Sequence, residues 1–124
     1  MIVQRLGSVY KGKNIKYHSL LPKMAGSVRF YTDILKLQVN FSNDWFVEFV
    51  LNDGARLSIA NEERASIKSS GGRGITIALQ VGDSKIAHES LLKAGADPTP
   101  IKQMWGANVF YVFDPEGNRI EFWS

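Results

Sequence analysis

The segment Asp53-Gly54-Ala55-Arg56-Leu57-Ser58-Ile59 returns 63 residues later as Glu116-Gly117-Asn118-Arg119-Ile120-Glu121-Phe122. Each copy reads acid, glycine, small residue, arginine, then alternating apolar and polar positions. A duplicated unit constrains an architecture before any single element is assigned, because each half must build the same piece of structure. Just upstream of each copy lies a run rich in aromatic and β-branched residues, Phe46 to Leu51 and Val109 to Phe113, a composition that suits a pleated surface. The turn residues Asn52-Asp53-Gly54 and Asp114-Pro115-Glu116-Gly117 then make a hairpin of each pair.

The order strand, then helix, also repeats, at a separation of about 60 residues. Ile75 to Val81 alternates, with Ile77, Leu79 and Val81 on one face and Thr76, Ala78 and Gln80 on the other. Asp83 is placed to cap a helix from about Ser84 to Ala94, which carries Ala87, Leu91 and Ala94 on one stripe and stops at Gly95. His88 falls off that stripe and is expected to be exposed. In the first half, Ile15 to Leu21 is the matching strand. Its helix, about Ala25 to Lys36, aligns Val28, Tyr31 and Leu35 but includes Gly26 and lacks a capping residue. One further short strand fits before each hairpin, Gln38 to Phe41 and a segment near Ile101 to Met104.

Each half is therefore βαβββ. The expected fold is α+β, two tandem βαβββ modules (about 15–67 and about 75–124) forming a curved mixed sheet around a cavity, in a single domain of residues 15–124. Lys68 to Gly74 forms the linker between modules, flexible in composition. It does not read as a phosphate cradle, because it leads into a strand and not into a helix N-terminus. Residues 1–14 are an N-terminal extension. Ile2, Val3, Leu6 and Val9 make it apolar enough for an extra edge strand or a dimer-clasping arm.

Composition narrows the partners. With 44% hydrophobic residues in 124, the chain has the means to bury one core. The lack of cysteine excludes disulfides, thiolate metal sites and cysteine nucleophiles, and fits a reducing cytoplasm. The opening MIVQRLGSVYKGKN has no signal-peptide core, and no run of about 18 apolar residues suggests a membrane span. A net charge of +3 is too small to imply nucleic acid, and Lys11, Lys13 and Lys16 read as a solvated cluster.

The stretches Ser27-Val28-Arg29-Phe30-Tyr31-Thr32-Asp33-Ile34-Leu35, Trp105-Gly106 and Phe113 to Phe122 resemble the vicinal oxygen chelate superfamily, which includes glyoxalase I, extradiol dioxygenases, and fosfomycin and bleomycin resistance proteins. The resemblance spans about residues 14 to 124. It is specific for fold and poor for function, because one scaffold hosts many chemistries. In metal-dependent members, His, Gln or Glu on the first and last strands of each module converge on a divalent cation. The corresponding positions here are Lys16, Ser58, Thr76 and Glu121. Of these only Glu121 is a ligand type, so the resemblance implies a scaffold with no metal and no cofactor. His18, on Lys16's expected strand face about 6.6 Å further on, is the one residue that a slipped register would bring to Glu121.

By alternation, Arg119, Glu121 and Trp123 face the cavity while Ile120 and Phe122 pack under the helices. A carboxylate at Glu121 needs a partner, and Lys16 is the expected one. Glu48 interrupts an apolar run at the position Tyr111 takes in the second half. It is either a cavity carboxylate against aromatic rings, suited to act as a base, or a solvated edge residue. Phe46, Tyr111, Phe113 and the three tryptophans suggest an aromatic pocket, with Trp105 at its mouth. The ligand-contacting residues expected are thus Lys16, His18, Phe46, Glu48, Ser58, Thr76, Trp105, Tyr111 and Glu121.

The function these features favour is a metal-independent binding protein of the bleomycin-resistance type, sequestering an aromatic or amphipathic small molecule, and the resemblance implies a homodimer. The competing function is a lyase, isomerase or oxygenase using Glu121 with His18 or Glu48. A regulatory module with a filled cavity is a third.

Overall fold

A computed structural model describes residues 15–124. The chain divides into two compact units between Lys68 and Ser69.

In the first unit, a short 3-10 turn at Tyr17–Ser19 precedes helix α1 (Pro22–Arg29), which runs on as a π-helical turn over Phe30–Ile34. Strands β1 (Gln38–Ser42), β2 (Phe46–Asn52) and β3 (Ala55–Ala60) follow as an antiparallel sheet in the order β1-β2-β3. The alternation in β2 does what its sequence dictates. Val47 and Phe49 are fully buried, while Phe46, Glu48 and Val50 on the other face are half-buried. Tyr31, from the helical segment, packs on Phe49 of that buried face at a centroid separation of 5.9 Å. Asn52 closes the β2–β3 hairpin by accepting the Gly54 amide on its side chain at 2.8 Å.

The expected first strand, Ile15 to Leu21, does not form. The Ser19 amide and hydroxyl both donate to the Lys16 carbonyl, at 3.1 and 2.8 Å, and roll the chain into a turn. The guanidinium of Arg29 covers the Tyr17 ring at 4.4 Å. No alternate set in this stretch is apolar throughout, since Ser19 interrupts one and Lys16 and His18 occupy the other, so a strand has no face to bury. The first module is thus a turn, a helix and three strands. Its helix also starts three residues before the expected Ala25, because Pro22 at the first helical position needs no hydrogen-bond partner and pre-sets φ.

In the second unit, β4 (Thr76–Gln80), α2 (Ser84–Lys93), β5 (Lys102–Met104), β6 (Ala107–Phe113) and β7 (Arg119–Trp123) build a four-stranded mixed sheet in the order β4-β7-β6-β5. Here β4 runs parallel to β7, and the other pairings are antiparallel. Asp83 caps α2, accepting the amides of Lys85 at 2.8 Å and Ile86 at 3.2 Å. Phe110 and Phe122 stack at 5.2 Å on the helix side, where Ile120 and Val112 are also buried. His88 is not exposed as expected. Its ring meets the Phe110 ring edge-on at 5.0 Å, and Nε2 lies 3.0 Å from the Thr99 carbonyl.

The glycine-rich stretch before β4 is not loose. Gly72, at φ +82°, lies so close to the Asp114–Asn118 turn that a Cβ there would sit 2.3 Å from the Gly117 carbonyl oxygen. That turn is itself fixed by the buried Asp114 carboxylate, which accepts the Glu116 and Asn118 amides at 2.9 and 2.8 Å and the Asn118 side-chain amide at 2.8 Å. Among the described residues, no helix is long and apolar enough to cross a membrane.

Candidate functional site

Among the described residues of each unit, one face of the sheet packs on that unit's helix and the other is helix-free. On the helix-free face of the first sheet, Glu48 stands directly across from Ser58. It is neither an isolated acid against aromatic rings nor a solvated edge residue. Its Oε1 accepts from the Arg56 guanidinium and from the Asn40 side-chain amide, both at 2.7 Å, and the side chains of Arg56 and Glu48 are 4% and 19% exposed. The bulge between Val39 and Phe41 in β1 is what lets Asn40 reach across to Glu48. Beside this cluster Phe46 meets Phe41 at 6.3 Å and Trp45 at 5.6 Å, an aromatic group at the turn end of the β1–β2 hairpin.

On the helix-free face of the second sheet the equivalent positions hold different chemistry. Tyr111 stands across from Glu121, and Thr76 across from Arg119 on the parallel neighbour. Arg119 is exposed. Its Nε donates to the Thr76 hydroxyl at 2.9 Å, and its guanidinium lies over the Tyr111 ring at 4.5 Å. A shallow cleft of about 400 Å³ opens there, lined by Gly72, Gly74, Ile75, Thr76, Phe113, Gly117 and Arg119.

Of the expected contact residues, Glu48 and Ser58 come together in the first unit with Phe46 beside them, and Tyr111 and Glu121 in the second, with Thr76 reached through Arg119. Lys16 and His18 are exposed on the 3-10 turn, so the strand face they were expected to share does not exist. Trp105 is 84% exposed at the tip of the β5–β6 hairpin, in the left-handed region at φ +51°. Arg56 and Asn40 were not singled out, although the arginine common to both repeat copies was the available signal. Nothing in the sequence marks the bulge that delivers Asn40.

Two of the positions that the resemblance aligns with cation ligands carry only a hydroxyl. Ser58 offers a neutral hydroxyl, and the Thr76 hydroxyl already accepts from Arg119 Nε. Among the described residues, no three His, Asp or Glu side chains gather at one point.

A family model described as the Glyoxalase/Bleomycin resistance protein/Dioxygenase superfamily matches residues 20–122. No curated protein matches the chain in sequence. Among solved structures, a glyoxalase/bleomycin resistance protein/dioxygenase from Nocardioides is 21% identical with a TM-score of 0.67, over 84% of this chain and 77% of that one. A lactoylglutathione lyase from Agrobacterium tumefaciens is 14% identical, TM-score 0.67, over 84% and 86%. The bleomycin-binding protein of Streptomyces verticillus, solved with copper(II)-bleomycin, is 23% identical, TM-score 0.59, over 97% and 96%. At these identities the likeness is one of fold.

Proposed function

The chain belongs to the Glyoxalase/Bleomycin resistance protein/Dioxygenase superfamily, and on that premise we propose that it is a metal-independent binding protein that sequesters an aromatic or amphipathic small molecule on the helix-free faces of its sheets. The observation that carries this reading is the contact between Thr76 and Arg119, which puts a guanidinium against one of the four positions where relatives hold a cation. Ser58, at another of those positions, offers only a neutral hydroxyl. Aromatic rings stand on the same sheets: Phe41, Trp45 and Phe46 in the first unit, Tyr111 and Phe113 in the second. Aromatic side chains with a few fixed polar groups are the usual lining of small-molecule sites. A homodimer is part of the proposal, and light scattering at twice the chain mass checks it.

Thermal unfolding across a panel of aromatic small molecules and divalent metals tests the function. A ligand that binds only the native state at about 100 times its Kd stabilises by about 2.7 kcal/mol. Stabilisation by an aromatic compound in the presence of chelator is the expected result. Stabilisation by a divalent ion, with none by any organic compound, contradicts it.

A further inference from the structure

The two copies of the repeat place an arginine at the same point, and their neighbourhoods differ at one decisive residue. Arg56 is buried and ion-paired to Glu48 at 2.7 Å. Sixty-three residues on, Arg119 finds Tyr111 where Glu48 stood, and a tyrosine ring accepts the face of a guanidinium without neutralising it. Among the described residues no carboxylate lies within ion-pair distance of Arg119. Glu121, two residues along the same strand, is registered instead against Tyr111 and Ala78.

Arg119 is also held in place. Nε is tied to Thr76, the flat face is stacked on Tyr111, and the two terminal amino groups are left over as a fork. A planar fork fixed by its neighbours matches a carboxylate with two parallel hydrogen bonds, and less ordering entropy is lost per bond when it binds. The cleft beside it is shaped for the rest of such a molecule. Gly72, Gly74 and Gly117 line it without side chains. Ile75 and Phe113, 62% and 54% exposed, give apolar surface beside the charge.

We propose that the Arg119 cleft is a subsite for a carboxylate carried on a small apolar or aromatic body, open to it because the second module has tyrosine where the first has glutamate. This rests on the small-molecule binding reading and names the charged group of the ligand.

The test is a ¹H–¹⁵N NMR titration of the full chain with benzoate, with benzyl alcohol as the neutral counterpart and sodium chloride at equal ionic strength. Benzoate is expected to shift the Arg119 Nε–H and the Gly72 and Gly74 amides saturably, and the two controls are not. Arg119→Gln and Tyr111→Glu, the second supplying the carboxylate that Glu48 supplies to Arg56, are each expected to weaken benzoate about tenfold or more with the native spectrum retained. Arg119→Lys, which keeps the charge and loses the fork, is expected to fall between. Unchanged benzoate affinity in Arg119→Gln, or equal shifts from chloride, overturns the subsite. Benzyl alcohol binding as well as benzoate overturns it while leaving the small-molecule reading standing, and a chain that binds neither overturns both.

Discussion

Glu48 and Tyr111 hold equivalent places and have opposite consequences for the arginine beside them, which makes the pair an internal comparison. Glu48→Gln removes the carboxylate from a guanidinium that is only 4% exposed, and is expected to cost about 3 kcal/mol in urea unfolding. Arg119→Ala, at an exposed side chain with no ion pair, is expected to change stability by less than about 0.5 kcal/mol. Equal costs at the two sites would show that the modules use their arginines alike. Trp105 poses the reverse case. A bulky residue in the left-handed region costs roughly 1 kcal/mol, and Asn-Gly is the preferred pair for a two-residue hairpin turn. Trp105→Asn is thus expected to raise the thermal midpoint, and a lowered midpoint would mean that the indole makes stabilising contacts. At this scale the sequence was readable in part. The spacing of 63 equates Ser58 with Glu121 and Glu48 with Tyr111, and the strand register then sets Glu48 opposite Ser58 and Tyr111 opposite Glu121 in the two hairpins. The partner of Glu48 was not readable, since it depends on a diagonal reach from Arg56 and on a bulge at Asn40.

Among elements, the hairpins and α2 were legible because short-range chemistry specifies them: alternation in β2 and β7, the Asp83 cap, and the Asn52 and Asp114 turns. The stretch from Ile15 to Leu21 was misread as a strand because the repeat implied one, while its own residues offer no continuous apolar face. The Lys68–Gly74 stretch shows the converse. Its composition suggests slack, yet Gly72 is fixed by a contact between backbones that no composition encodes. Gly72→Ala would push a methyl group to 2.3 Å from the Gly117 carbonyl oxygen at a φ of +82°, and is expected to cost about 2 kcal/mol or more. Gly82→Ala, where a Cβ meets nothing within 4 Å, should be neutral to within about 0.5 kcal/mol. Urea midpoints of the two variants check this, and similar values for both would mean that the glycine loop yields without cost.

For the whole molecule, the superfamily scaffold spans residues 20–122. The fold was legible because duplication and the hairpin motifs cover most of the chain, whereas function in this superfamily resides in a few side chains on one face of each sheet. The function proposed above has those faces, with Ser58, Thr76 and Glu121 on them, bind an organic molecule in place of a cation. The most direct test is the metal content, by mass spectrometry, of protein expressed in metal-supplemented medium and purified without chelator. Zinc, nickel, manganese and iron all far below one per chain is the predicted result. One equivalent of any of them, lost on Glu121→Ala, would contradict it.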